Sequence, residues 1–167
     1  GIVAAEGYDY EIIEKMNHPH DDYNLLVTLK ADGNVEKTVV GSVVEALTVD
    51  SLNEKDFGRL IDIVGKDSLQ MASFTITEKG YSLVNGRGDY LPGVPEDLAN
   101  GPANAMSYMG KVSALVYARY EAGQKPIAMV SMDNCSHNGD KLYAAVNAFA
   151  EAWVKNGVVD EGFLAYI

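Results

Sequence analysis

Three runs in this sequence hold polar side chains at spacings that can do chemistry. The first is Ser131-Met132-Asp133-Asn134, which ends an apolar run and is followed by Asn138-Gly139. A side-chain amide fixed at the mouth of a β-sheet can donate a hydrogen bond to a developing alkoxide, and Asn134 is the candidate for that role. Asp133 beside it is a ligand-facing carboxylate or a cap for backbone donors of its own loop. Asn138-Gly139 reads equally as a turn and helix start. The second run, Thr75-Ile76-Thr77-Glu78-Lys79-Gly80-Tyr81, closes an apolar segment in the middle of the chain. The third is Glu6, at the end of Ile2-Val3-Ala4-Ala5. An acidic side chain after the second strand of a dinucleotide fold accepts ribose hydroxyls, although a solvated carboxylate at a strand end explains Glu6 as well. The G-x-G-x-x-G turn that precedes such a carboxylate in that fold is absent.

Other constellations carry less. His18-Pro19-His20-Asp21-Asp22 has no distant third ligand at metal-site spacing and reads as a surface turn, so no metal is expected. Cys135 and His137 lack a third member and an oxyanion donor, which argues against a thiol nucleophile. Arg87-Gly88-Asp89, an adhesion-type tripeptide, reads as a turn. Tyr108, Tyr117 and Tyr120 lie near helical spacing and suit half-buried packing.

Positioning these residues requires a sheet whose strand ends lie together. Short strands are expected at Ile2–Ala5, Leu25–Leu29, Val35–Val49, Leu69–Thr77 and Ile127–Met132. A turn is expected at Asp32-Gly33-Asn34, making a hairpin or adjacent strands of the runs around it. A brief helix is expected over Tyr10–Met16. Ser51-Leu52-Asn53-Glu54 reads as a capping box, with Phe57, Leu60, Ile61 and Val64 on one helix face and Gly65 as the stop. Glu78–Pro102, dense in Gly, Pro, Asn and Asp, reads as a loop. Two longer helices follow, from about Asn104 to Ala122 and from Asn138 to Lys155. The first should bury Met106, Met109, Val112, Leu115, Val116 and Ala118, and the second Leu142, Val146, Phe149, Ala150 and Trp153. Alternation of strands and helices is the α/β pattern with a mainly parallel sheet, in which ligands bind beyond the carboxyl ends of the strands. No internal repeat and no domain linker is visible.

The two longer motif runs resemble the T-x-T-E-x-G-Y and S-x-D-N-x-x-x-N-G motifs of the mannitol dehydrogenase family, the long-chain polyol and hexuronate dehydrogenases. Val40-Gly41-Ser42 and the terminal Phe163–Ile167 also look like that family, so the likeness covers essentially the whole chain. The resemblance implies a Rossmann-like, doubly wound, mainly parallel α/β fold lacking its first strand and glycine-rich turn. It implies NAD as cofactor and hydride transfer at a secondary alcohol of a polyol or sugar acid, with D-mannonate and D-fructuronate favoured and the mannitol 2-dehydrogenase and tagaturonate reductase reactions as the alternatives within the family. Asn134 matches the family asparagine that hydrogen-bonds the reacting oxygen. Glu6 stands in the acidic ribose-binding loop, a place Asp9 can also fill. Thr75, Thr77 and Glu78 match the motif lining the cofactor cleft, and Asp133 falls in the same cofactor-side group. The family's general-base lysine, in a Lys-x-x-x-x-Asn-x-x-His pattern of a helical domain, has no counterpart in this sequence. The expectation is therefore a partial NAD-binding domain, residues 1–167, of a larger dehydrogenase, inactive alone. The rival reading is a non-catalytic α/β binding module.

Composition sets the outer bounds. Over 167 residues, 47% are hydrophobic and 22% charged, which fits a folded domain and not a disordered tract. The net charge of −11 disfavours nucleic acid, whose phosphates need clustered Lys and Arg. No run approaches the length of apolar sequence that spans a bilayer, so no membrane partner is expected. One cysteine and no visible leader make the cytoplasm the expected compartment. A bare sheet edge, left where the first strand should be, makes an oligomer possible.

Overall fold

The computed structural model describes residues 1–167 and contains six strands and seven helices. They fall into two compact units, Gly1–Phe57 and Gly58–Ile167. No helix is long and apolar enough to cross a membrane.

In the first unit β1 (Ile2–Glu6) and β4 (Val43–Thr48) run parallel, with Ala4 opposite Ala46 and Glu6 opposite Thr48. Helix α1 (Tyr10–Asn17) lies against this pair. Its Ile13 is buried, its Tyr10 hydroxyl donates to the Val49 carbonyl and its Asn17 amide to that of Ala46, both at 3.2 Å. β2 (Asn24–Leu29) and β3 (Val35–Val40) form an antiparallel hairpin. Its turn has Gly33 at φ +85°, a conformation that a side chain would strain, and Asp32 accepting from the Asn34 amide at 2.9 Å. The expected single strand Val35–Val49 is thus two. After Gly41-Ser42 the chain leaves the hairpin, because the buried end of β4, Ala46–Thr48, finds a parallel partner in β1.

Helix α2 (Glu54–Val64) carries the division between the units. Its cap is not Ser51. Asp50 folds residues 50–53 into a turn of their own, and Asn53 Oδ1 then accepts from the Asp56 amide at 3.2 Å, so Glu54 is the first helical residue. Phe57 and Leu60 are buried as expected, whereas Ile61 is exposed.

The second unit is built on a parallel pair, β5 (Met71–Phe74) and β6 (Ala128–Ser131), with Phe74 opposite Ser131. Around it stand α3 (Thr77–Gly80), α4 (Val94–Asn100), α5 (Tyr108–Glu121), α6 (Asn138–Lys155) and α7 (Glu161–Tyr166). The core is aromatic: Phe149, Trp153 and Phe163 are wholly buried, and Tyr117 meets Phe163 edge-on at 5.1 Å between ring centres. The Trp153 indole donates to the Asp97 carbonyl at 2.7 Å, which satisfies the one polar group this ring takes inside.

Several expected boundaries move here, each for a local reason. The middle strand stops at Phe74 and not Thr77, since the amides of Ile76 and Thr77 turn to Asp133 instead of a ladder. The expected loop Glu78–Pro102 contains α4, with a proline in its first turn, where its missing N–H costs nothing. α5 starts four residues late, because Ser107 caps it and Asn104 sits at φ +57°. Met106 therefore lies outside the helix, exposed, and Leu115, Val116 and Ala118 are half-buried. The terminal apolar stretch is a helix, α7, capped by Asp160, which accepts from Gly162 N and from the Tyr120 hydroxyl.

A buried cation fixes the start of both strands in this pair. Arg119, 1% exposed, gives its five N–H donors to five carbonyls: those of Val64, Lys66, Leu69, Lys125 and Pro126. A charge taken out of water is tolerable only when every donor is satisfied, and here backbone dipoles do it without a carboxylate. The architecture is thus α/β with parallel pairs, and the β2–β3 hairpin is the antiparallel exception.

Candidate active site

Because β5 and β6 are parallel and in register, the loops that follow them leave the sheet side by side. Asp133 uses that proximity. Its Oδ2 accepts from the Ile76 amide at 2.9 Å and its Oδ1 from the Thr77 amide at 2.9 Å, 57 and 56 residues away in sequence. The Tyr81 hydroxyl donates to the same Oδ2. Tyr81, 3% exposed, also meets Ser131 Oγ at 2.6 Å. A phenol has one proton, and an ionised carboxylate can only accept. The direction is therefore fixed: Ser131 donates to Tyr81, and Tyr81 donates to Asp133.

These contacts set the acidities. The Asp133 carboxyl is held below its ordinary range, first by the Tyr81 hydroxyl and then by the Ile76 and Thr77 amides. Tyr81 is pushed up to about 12, first by burial and then by its bond to Asp133. Both groups stay in the state that makes the bond, carboxylate and phenol, across the neutral range.

The backbone of Asp133 is pinned as well. Its carbonyl accepts from the Asn138 side-chain amide at 2.8 Å and from the Cys135 amide at 2.9 Å. The second Asn138 hydrogen reaches the Ser131 carbonyl at 3.2 Å, and Asn138 Oδ1 accepts from Gly139 N at the first turn of α6. Asn134, next in the chain, is exposed, and its side-chain amide makes no hydrogen bond within the chain. It is an unengaged donor on a backbone held from both sides.

The motif after β5 is displayed on the same edge. Thr75 is exposed; Thr77 is exposed too and opens α3 at φ +62°, a left-handed conformation that a β-branched residue rarely adopts and that the Asp133 contact holds. Glu78 is paired with Lys141 of α6, which lowers the carboxyl and raises the ammonium. A cleft of about 380 Å³ opens beside this pair, lined by Tyr81, Ser82, Leu83 and Ala144 among others.

In the first unit Glu6 ends β1. Its Oε1 accepts from the amides of Tyr8 (2.8 Å) and Asp9 (3.3 Å), so it folds its own loop and leaves Oε2 open. Asp9 precedes α1 without capping it and is exposed. His18–Asp22 is a turn after α1, and Arg87-Gly88-Asp89 is the tip of a small hairpin closed by the Val84–Tyr90 bridge.

No protein-family model matches the chain. Individual relatives do. The chain is 46% identical over all 167 residues to the D-mannonate oxidoreductase of Thermotoga maritima, and covers 31% of that protein. Along its whole length the chain is thus similar to part of an oxidoreductase of this polyol and sugar-acid class. A mannitol 2-dehydrogenase of Cereibacter sphaeroides is 30% identical over 95% of the chain and 38% of its own length. The ternary complex of Pseudomonas fluorescens mannitol 2-dehydrogenase with NAD and D-mannitol superposes with a TM-score of 0.71 at 28% identity, over 92% of this chain and 32% of that one. A D-sorbitol dehydrogenase shares the fold over the whole chain, with a TM-score of 0.77. The chain spans about a third of the length of the relatives it matches.

The sequence points to most of the residues gathered at this sheet edge but not to the connections between them. Tyr81 stood in the motif without a role. Asn138 read as a plain turn, and Lys141 was not singled out. The available signal was the pairing of an aspartate before Asn134 with a tyrosine at the end of the other motif, a donor and an acceptor one strand apart.

Proposed function

We propose that the full-length protein is an NAD-dependent oxidoreductase acting on a secondary alcohol or ketone of a hexuronate or polyol. Residues 1–167 supply most of its cofactor-binding domain, without the first strand and glycine-rich turn. D-Mannonate and D-fructuronate are the favoured pair, because the relative at 46% identity is a D-mannonate oxidoreductase. The reading rests above all on one observation: Asn134, an exposed and unengaged amide, stands between residues locked by Asp133 and Asn138 at the carboxyl ends of parallel strands.

The residues present suit NAD. Glu6 keeps one carboxylate oxygen open and Asp9 keeps its whole carboxylate, so either can accept from ribose hydroxyls. Thr75, Thr77 and Glu78 offer hydroxyls and a carboxylate along the exposed edge beyond β5. When bound, NAD supplies the hydride acceptor or donor. Asn134 donates its amide hydrogen to the substrate oxygen as negative charge gathers there, with no reorganisation needed at the moment of reaction. Asp133 faces backbone and Tyr81, so its part in cofactor binding is indirect, through the Ile76–Thr77 loop. In this reading the proton goes to the general-base lysine of the Lys-x-x-x-x-Asn-x-x-His pattern that the resemblance implies. The expected compartment is the cytoplasm.

The test is NADH absorbance with full-length protein, offering D-fructuronate, D-tagaturonate and D-fructose in turn. Oxidation with D-fructuronate supports the reading and its substrate. Turnover only with another of the three corrects the substrate, and silence from folded protein with all three shifts the weight to a non-catalytic binding module. In an active enzyme, Asn134→Ala should lower turnover by on the order of 10² or more; full activity there would remove Asn134 from its role.

A further inference from the structure

We propose that the Ser131–Tyr81–Asp133 chain of hydrogen bonds is a positioning brace that aims Asn134 at the reacting oxygen, so that turnover depends on residues that never touch substrate. The inference rests on the reading of Asn134 given above and concerns how that side chain is held.

Asn134 has no side-chain hydrogen bond of its own to fix it, yet a donor must sit within a fraction of an ångström of its mark to stabilise a transition state. Its aim therefore comes from its backbone. On the amino side that backbone is Asp133, whose carboxylate is tied to Ile76, Thr77 and Tyr81, and whose carbonyl is tied to Asn138. Tyr81 is the keystone. It is buried, and its hydroxyl accepts a hydrogen bond from Ser131 while donating one to Asp133. One carboxylate thus spans both motif loops, and Thr77, held in a left-handed conformation, shows that this loop is kept from relaxing. Losing a bond in the chain leaves Asp133 on the remaining ones, holds it less firmly and loosens the aim of Asn134.

The experiment uses the full-length protein with its best substrate and compares Tyr81→Phe, Asp133→Asn and Asn134→Ala. Tyr81→Phe keeps the ring and removes only the hydroxyl. Asp133→Asn keeps the shape but replaces one acceptor with a donor facing an N–H. We expect kcat to fall about 10-fold in Tyr81→Phe and on the order of 10²-fold in Asp133→Asn, approaching Asn134→Ala. Affinity for NADH, from its fluorescence, should change by less than about threefold in Tyr81→Phe, since remote binding contacts remain. Wild-type kcat in Tyr81→Phe and Asp133→Asn, with Asn134→Ala impaired, overturns the brace and spares the role of Asn134. Wild-type kcat in Asn134→Ala overturns both. If the losses match only a reduced fraction of folded enzyme, with kcat per active site unchanged, the residues are structural and the brace is wrong. Should Asp133→Asn fail to fold, Tyr81→Phe decides.

Discussion

Glu6 and Asp133 stand at corresponding places, each a carboxylate at or just beyond the carboxyl end of a strand in a parallel pair, and they are used in opposite ways. Glu6 accepts from amides two and three residues ahead, so its bonds are confined to its own loop. Asp133 accepts from amides more than fifty residues away and holds two segments together. The β5–β6 pair is fastened at both ends, by the Arg119 guanidinium where the strands begin and by Asp133 where they end. A self-contained loop leaves its side chain partly free for a ligand, whereas a cross-braced loop spends its carboxylate and frees the neighbouring amide instead.

That contrast can be broken most severely at Arg119. Arg119→Met takes a donor from five carbonyls, of which Lys125 keeps the Tyr166 hydroxyl and Lys66 the Leu69 amide, and should cost roughly 3 to 5 kcal/mol. Hydrogen exchange in the full-length protein should show the loss over β5 and β6, and unchanged protection there would mean that the carbonyls find other donors. A smaller effect separates the two carboxylates. Asp133→Ala should lower the melting temperature and abolish amide protection at Ile76 and Thr77, whereas Glu6→Ala should change only Tyr8 and Asp9. Equal melting shifts for the two variants would erase the distinction between local and long-range use.

The mildest probe is pH. Asp133 is lowered on folding, so its bonds stabilise the protein above the unfolded value of about 3.9 and that contribution fades as pH falls through the folded value. Tyr81 is raised to about 12, so its contribution is complete below the unfolded value near 10 and is lost as pH rises through about 12. The brace should therefore stand from about pH 5 to about pH 9. Tyrosinate absorbance should show late-titrating groups, Tyr120 among them through its bond to Asp160, with one fewer in Tyr81→Phe. An ordinary pKa for Tyr81 would show the bond to Asp133 to be weak in solution.

Much of this was legible in the residues. Periodicity gave α6 with both boundaries, Asn138 and Lys155, because eighteen residues repeat one apolar face and Asn156-Gly157 follows the last. The turn at Gly33 and the parallel α/β class were equally local in origin. The ends of β5, α2 and α5 were not legible, since each depends on which of several competent caps wins. Asn53 prevailed over Ser51 as cap, and Asp133 over the strand ladder as the acceptor for Ile76 and Thr77. The site divides in the same way.

By itself the sequence determined the types of group at the strand ends, including Asn134 as an amide and Glu6, Asp9 and Asp133 as carboxylates. It also determined the segments that would bury their faces, because those properties follow from side-chain chemistry and short-range spacing. Only the tertiary structure decided which carboxylate would be spent on backbone and which left open. That choice depends on parallel pairing, which brings Ile76, Thr77 and Tyr81 to Asp133 across more than fifty residues, a closeness no local pattern encodes.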